Sequence, residues 1–535
     1  MTTKVPPESQ MFILIHPPVV KPCEPPAGPA KLAGVLLGHG IPCEVIDANM
    51  EGMGTLLRER LKGEHAYQHH FSEDGITAIP QHLSNKWTSR SFHHLKDNLA
   101  SLTSWETYKN IDRYRRAVID INRVLEVESA PYGKVISLAN YLDANLSPVA
   151  SGDLIRAAER PESDPFYPYF AKRLSALLER EMPVIVGFSL NYLSQALCTF
   201  AMIGFLRRKH PTVRIILGGG LITSWMRRPG FSNPFGGLVD DLVAGPGEDF
   251  LLSIHGVAPD QGHHTPYYAG CTEGYLSPGP IMPYSTSSGC YWNRCSFCPE
   301  RAEGNHYEPV PIDVAIEDMR ILIDHKRPSL IHLLDNAVSP AMLRAIAESS
   351  LRIPWYGFAR ISRLLSELDF CLELRRSGCI MLQLGLESGD QDVLDSMGKG
   401  FDLATASLTL ATLKRAGIAA YIYLIFGTPS ETADSARKTL DFVVSHGSEI
   451  DFLNLAIFNL PVASPEEKGL EVCDFYEGDL SLYRNFFHPK GWNRALVRQF
   501  LDREFKRHPA VSTILKNSPP AFTSNHAPFF VINWR

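Results

Sequence analysis

Apolar positions along the chain fall into two alternating rhythms. Short unbroken apolar runs read as buried strands, and runs spaced three and four apart read as amphipathic helices. In the C-terminal half, strands are predicted at "LIHLLD" (330–335), "WYGFAR" (355–360), "CIMLQLGLE" (379–387), "AAYIYLIFG" (419–427) and "DFLNLAIFN" (451–459). Helical spacing lies between them at 313–326, 340–349, 363–377, 403–416 and 431–446. Strand–helix alternation of this kind means a parallel sheet or barrel, with function at the C-terminal strand ends. The N-terminal half repeats the rhythm. Strands are predicted at 11–18, 43–49, 183–190 and 213–220, helices at 28–40 and 194–210, and a closing unit at 239–254. This is a doubly wound α/β pattern, which binds ligands at its strand ends. Residues 53–180 interrupt it with amphipathic helices at 110–127 and 168–181. The domains expected are therefore 1–265 with an insertion at about 53–180, a barrel at 275–465, and a mostly helical cap at 466–535.

Composition adds little to this outline. Hydrophobic residues make up 44% and charged residues 21% of 535 residues, as in ordinary globular chains. Lys+Arg 52 against Asp+Glu 58 gives −6, which predicts no general attraction to nucleic acid or an anionic membrane. No stretch reaches the roughly eighteen uninterrupted apolar residues of a membrane span. "MTTKVPPESQMFILIHPP" lacks a signal-peptide core, so a cytoplasmic location is expected. Thiols there stay reduced, and clustered cysteines bind metal or do chemistry.

One cluster exists. "SSGCYWNRCSFCPE" (287–300) holds Cys290-x4-Cys295-x2-Cys298. Cys23, Cys43, Cys198, Cys271, Cys371, Cys379 and Cys473 are scattered and read as small buried residues. Structural zinc needs four ligands, and His306 is the nearest later candidate. Three thiolates on one loop suit an iron–sulfur cluster with one iron left open. Tyr291, Trp292 and Phe297 would shield it from water, and Arg294 would offset its charge. The plain alternative is an incidental cysteine-rich turn. His65, His69, His70, His93 and His94 invite a metal reading too, but adjacent helical residues point apart, so they are taken as solvated.

The triplet, with an aromatic before its last cysteine, resembles the cluster loop of radical S-adenosylmethionine enzymes. Their usual spacing is C-x3-C-x2-C, and the longer "GCYWxRC" form resembles the branch that carries a cobalamin-binding domain. The resemblance implies a partial (β/α)6 barrel with the cluster loop after its first strand. It implies a [4Fe-4S] cluster on Cys290, Cys295 and Cys298. It also implies S-adenosylmethionine contacts at successive strand ends. Asp335 and Asn336 would face the amino group, Arg360 the carboxylate, Glu387 the ribose, and Gly427 and Pro429 the adenine. Read as plain residues, Asp335 is equally a helix cap, Arg360 a surface ion-pair partner, and Gly427 with Pro429 a shaped turn.

The N-terminal domain resembles the cobalamin-binding, Rossmann-like domain of the same branch. Ser189 and the glycines Gly218, Gly219 and Gly220 take the place of the residues that bury the corrin's nucleotide tail. "DANMEG" (47–52) gives D-x-N-x-x-G after the second strand, so Asp47 reads as an ordinary strand-end residue and no lower histidine ligand is expected. Cys23, in the loop 17–28, is read as a plain buried residue.

The resemblance implies an enzyme: a C-methyltransferase that uses a 5′-deoxyadenosyl radical and methylcobalamin on an unactivated carbon of a small molecule or natural product. A flavodoxin or ferredoxin would supply electrons. The alternatives are cyclisation, rearrangement or oxidation with the same cofactors, and a non-catalytic corrinoid or redox sensor. A methylthiotransferase needs three more clustered N-terminal cysteines, and Cys23, Cys43 and Cys198 are too far apart in sequence.

Overall fold

Phe12, Ile13, Leu14 and Ile15 leave no polar side for water, so the first strand takes the interior of a sheet. The computed structural model describes residues 10–61, 83, 85–179, 184–259, 262–268, 274–475, 477–520, 526–532 and 534. His65, His69, His70 and Cys271 lie outside them. The chain divides into two compact units. One is Met1–Pro278 with Glu477–Ser481 and Pro520–Phe522; the other is Gly279–Tyr476 with Leu482–Pro519 and Thr523–Arg535.

In the first unit the strands are β1 (Met11–His16), β2 (Cys43–Asp47), β3 (Lys134–Ile136), β4 (Tyr141–Asp143), β5 (Val184–Ser189), β6 (Arg214–Gly218) and β7 (Asp241–Leu242). The main sheet runs β2-β1-β5-β6-β7, all parallel. Strand order reverses between β1 and β5. That switch point lies at the ends of these two strands, at His16 and Ser189, where α/β folds of this kind bind ligands. Phe12, Leu14, Ile185 and Ile216 pack against Ala33, Leu36 and Leu252 to form the core on one face.

The insertion is part of this unit's core. Helix Leu193–Lys209 buries every residue from Gln195 to Leu206, so it is apolar all round. Gly204 lets helix Ser151–Glu159 approach so closely that a Cβ there would lie 1.8 Å from the Ala158 carbonyl oxygen. The antiparallel hairpin β3–β4 is too short to show a period in sequence. His93 and His94 are exposed, with ring centroids 4.8 Å apart.

The second unit holds β8 (Ile281–Tyr284), β9 (Ser287–Ser288), β10 (Glu308–Pro309), β11 (Leu330–Leu333), β12 (Trp355–Ala359), β13 (Cys379–Glu387), β14 (Ala419–Phe426) and β15 (Phe452–Ile457). Its six-stranded sheet runs β15-β14-β13-β12-β11-β8, parallel throughout and consecutive in sequence. A helix follows most strands, which is the partial barrel expected. The tail adds a small antiparallel sheet of β16 (Leu460–Pro461), β17 (Val472–Asp474) and β18 (Tyr483–Phe486), then helices Arg494–Phe500 and Pro509–Asn517. Among the described residues no helix is long and apolar enough to cross a membrane.

The close approach at Gly204 makes a paired test. Gly204→Ala overpacks a backbone contact and should destabilise the protein by about 1–3 kcal/mol. Gly152→Ala, on the facing helix with open space around it, should stabilise by up to about 1 kcal/mol. Denaturant midpoints read both; equal midpoints for the two variants would contradict the helix contact.

Candidate functional site

Tyr284 ends β8, and the chain then makes the cysteine loop. The antiparallel pair β9–β10 pins the two ends of that loop together. Gly289, at φ 68°, permits this, because a Cβ there would lie 2.1 Å from the His306 carbonyl oxygen. Asp335, just past β11 and 1% exposed, holds the loop's entry. Its carboxylate accepts from the Thr286 N–H at 3.0 Å, the Thr286 hydroxyl at 2.7 Å and the Ser287 hydroxyl at 2.5 Å. Asn336 donates from Nδ2 to the Gly289 carbonyl at 3.2 Å. Asp335 caps no helix: the next one is capped by Ser339.

Cys290, Cys295 and Cys298 are half-buried and free of disulfides. Burial pushes the Cys298 thiol up to about 11, while the Glu300 and Arg301 N–H groups pull the other way. A metal must therefore displace a proton there. Among the described residues no group of three or more His, Cys, Asp or Glu is placed to hold a single metal ion. A polynuclear cluster, which spreads its thiolates over several irons, suits this donor set.

The loop lies on a turn at 397–400. Met397 O accepts from Ser296 N at 3.0 Å, and Gly398 O accepts from Trp292 Nε1 at 2.9 Å. Gly398 and Gly400 both have positive φ. A Cβ on Gly398 would lie 2.8 Å from the Arg294 carbonyl oxygen, and one on Gly400 would lie 2.2 Å from the Trp292 ring. Only glycines let the loop seat here. Arg360, just past β12, stacks on Trp292 with its guanidinium carbon 4.1 Å from the ring centroid. Its Nη1 is 3.8 Å from Cys295 Sγ, and its Nη2 donates to the Lys399 carbonyl. Arg294 sits over the same ring at 5.0 Å.

Glu387 ends β13 at φ 68°, an uncommon conformation for a non-glycine residue, beside a register shift between Gly385 and Glu387. It is 7% exposed and pairs with Lys399 at 3.1 Å. Lys399 also faces the Phe297 ring at 5.7 Å. The stretch "QDVLDSMGKG" after Glu387 resembles the family's pattern in sequence, but that resemblance gives Lys399 no role. The signal was two glycines flanking a cation shortly after the Glu387 strand.

At the end of β14, Gly427 (φ 83°) donates its N–H to Glu431. Pro429 is half-buried in the same turn. Glu431 is fully buried and also accepts from Trp492 Nε1 at 2.9 Å. Burial pushes its carboxyl up to about 7, against the pull of the Gly427 N–H and Trp492. His488 donates from Nε2 to the Thr428 carbonyl at 2.8 Å, and Lys490 donates to the Ser430 carbonyl at 2.6 Å. Glu431 Oε1 and Thr428 Oγ1 are buried with no hydrogen-bond partner among the described residues. The tail's grip on this turn was invisible in sequence because it joins residues about sixty positions apart.

In the first unit, Ser189 and the three glycines come together. Ser189 and Gly218 are register partners. Asn191 ties them: its Nδ2 donates to Ser189 Oγ at 3.1 Å, and its Oδ1 accepts from Gly220 N at 2.9 Å. Gly219 (φ 111°) is required by the backbone, since a Cβ would lie 2.4 Å from the Leu190 carbonyl oxygen. Gly218 and Gly220 have room for a Cβ at 3.5 and 3.7 Å from their nearest neighbours. A side chain at either position would thus make only ordinary contacts. The loop after β1 is pinned on both sides: Asn49 exchanges two hydrogen bonds of 2.9 Å with Val20, and Gln195 donates to the Pro17 carbonyl at 2.8 Å. Asp47 is buried, and accepts from the Tyr275 hydroxyl at 2.6 Å and the Met50 N–H at 2.9 Å. Burial raises its pKa, with His16 opposing. Cys23 is fully buried.

Comparison with known proteins agrees with this geometry. Residues 284–443 match the Radical SAM superfamily. This segment is a radical SAM domain. A bacteriochlorophyllide d C-12(1)-methyltransferase of Chlorobaculum tepidum is 26% identical over 254 residues, 45% of this chain and 54% of that protein. The chain thus spans about half the length of this curated relative. Among solved structures, TsrM, a radical S-adenosylmethionine methyltransferase from Kitasatospora setae with cobalamin and a [4Fe-4S] cluster bound, is similar at a TM-score of 0.53 and 15% identity. That likeness covers 97% of this chain and 92% of TsrM. OxsB, a cobalamin-dependent S-adenosylmethionine radical enzyme with aqua-cobalamin and S-adenosylmethionine bound, is similar at 0.53 and 12% identity, over 93% of this chain and 67% of OxsB. These likenesses show the fold: parallel α/β units with the radical SAM domain in the C-terminal half.

Two tests address the radical SAM domain. Gly400→Ala should push Trp292 off its seat and lower iron per chain at least several-fold after anaerobic reconstitution; unchanged iron would deny the turn its role. Glu431 carries the second. Its folded carboxyl titrates near about 7 against 4.5 unfolded, so the folded state binds the extra proton between these values. Its contribution to stability therefore falls as pH rises through that window, by up to about 3 kcal/mol. The difference in denaturation midpoint between wild type and Glu431→Gln should change over that range and level off above it. A constant difference from pH 4.5 to 7 would contradict the buried-carboxyl account.

Proposed function

We propose that the chain is a cobalamin-dependent radical S-adenosylmethionine enzyme that methylates an unactivated carbon of a small-molecule substrate. The observation that carries this reading is the three-cysteine loop seated at the C-terminal end of a six-stranded parallel sheet. When bound, a [4Fe-4S] cluster with S-adenosylmethionine supplies one-electron hydrogen-abstraction chemistry, and methylcobalamin supplies the methyl group.

The chain's own part is position and exclusion of water. Cys290, Cys295 and Cys298 would hold the cluster, with Trp292, Tyr291 and Phe297 as its dry wall. Asp335 is committed to Thr286 and Ser287, so its role is to fix the loop's entry. Asn336, exposed beside it, is left to meet the amino group of S-adenosylmethionine. Glu387 would accept from ribose hydroxyls while its pair with Lys399 at 3.1 Å orients it. The turn of Gly427 and Pro429 would line the adenine. The cradle of Ser189, Gly218, Gly219 and Gly220, braced by Asn191, would take the nucleotide tail of cobalamin. A flavodoxin or ferredoxin would deliver the electron.

The test uses protein purified without oxygen from cobalamin-supplied cells. Iron and stoichiometric corrinoid should copurify, and Cys295→Ala should abolish 5′-deoxyadenosine formation while keeping the corrinoid. Product mass should rise by one CH2 unit over substrate. Iron without corrinoid would overturn the cobalamin reading. Deoxyadenosine without the mass gain would move the reaction to cyclisation, rearrangement or oxidation.

A further inference from the structure

We propose that Arg360 is the counter-charge of the cysteine loop, donating to Cys295 and so raising the reduction potential of a cluster held there, rather than binding a ligand carboxylate. The inference rests on the cluster reading above and adds a redox role that the strand-end position alone does not suggest.

Arg360 is committed on three sides. Its flat face lies on the Trp292 indole at 4.1 Å. Its Nη1 reaches the Cys295 sulfur at 3.8 Å. Its Nη2 donates to the Lys399 carbonyl on the glycine turn. Trp292 is itself fixed by its bond to Gly398 and by the close seat at Gly400. A guanidinium held this way has its flat face and one N–H on each terminal nitrogen engaged within the fold. The neighbouring cations are otherwise placed. Lys399 pairs with Glu387 at 3.1 Å, Arg294 is exposed with its guanidinium carbon 5.0 Å from the Trp292 ring, and Arg301 is exposed and donates to the Arg294 carbonyl. Arg360 is thus the cation at the cysteine sulfur.

The consequence is electrostatic. Reduction adds one electron to a cluster whose thiolates already carry negative charge, and the electron donor is oxidised by one electron. A fixed positive charge that hydrogen-bonds a ligating sulfur favours the reduced form. The site is half-buried, so the interaction is screened less than in water.

The test uses the full chain, anaerobically reconstituted, as wild type, Arg360→Gln and Arg360→Lys. Cluster reduction is followed by electron paramagnetic resonance during a dithionite titration without S-adenosylmethionine. Affinity for S-adenosylmethionine is measured separately by equilibrium dialysis. In Arg360→Gln the reduced-to-oxidised ratio at fixed potential should fall about tenfold, equivalent to about 59 mV for a one-electron couple. Affinity should change less than threefold, and Arg360→Lys should lie between. An unchanged potential overturns the proposal; with a tenfold loss of affinity it would assign Arg360 to the ligand carboxylate instead. Should Arg360→Gln take up less iron, the potential is read on the clusters that form, since the ratio of reduced to oxidised cluster does not depend on occupancy: a fall in that ratio supports the proposal, and none overturns it. Failure of the wild type to hold a cluster would sink the underlying reading and is seen separately, in iron content.

Discussion

Two missing side chains hold this site together. At Gly398 and Gly400 the chain comes so close to the cysteine loop that any Cβ would strike the Arg294 carbonyl or the Trp292 ring. The loop would otherwise be a long excursion with few backbone bonds of its own. Seated on the turn, it gains the Ser296–Met397 and Trp292–Gly398 hydrogen bonds. Trp292 then becomes a floor on which Arg360 stacks, and Lys399, between the two glycines, is aimed at Glu387. One close contact thus orders residues from the ends of β12 and β13 together with the loop after β8. Backbone contact of this kind is hard to loosen by degrees, because the neighbours are main chain or a large ring.

Much of the fold was legible because its elements are long and periodic. β13 and helix Leu403–Ala416 lie where the apolar runs put them, and the other barrel elements shift by only a few residues at their ends. The hairpin β3–β4 and the tail sheet β16–β18–β17 escaped, since such short strands carry no period and depend on partners far along the chain. The insertion's role in the core also escaped. Its signal is one glycine, Gly204, in an otherwise ordinary apolar helix.

The candidate site was legible in its residues and less so in their partners. Counting polar residues at strand ends finds Asp335, Asn336, Arg360 and Glu387, but it assigns each to a ligand. In the structure each of them first serves the protein. Asp335 and Asn336 bind the entry of the cysteine loop, Arg360 its sulfur and its tryptophan, and Glu387 a buried lysine. This follows from burial. A carboxylate that is 1% or 7% exposed must have its lone pairs met within the fold, or its charged form is too costly to keep. Partners such as Lys399, Asn191 and Trp492 sit elsewhere in sequence, and no local pattern points to them.

The two cradles are built by different means. In the first unit, Gly219 is required by the backbone, whereas Gly218 and Gly220 would tolerate a Cβ. In the second, the turn after β14 is gripped by His488, Lys490 and Trp492, yet Thr428 Oγ1 and Glu431 Oε1 remain without partners. A turn so heavily braced has lost the freedom to satisfy those atoms by moving. The tail therefore serves the turn at the end of β14, because His488, Lys490 and Trp492 fix its backbone and its buried carboxyl.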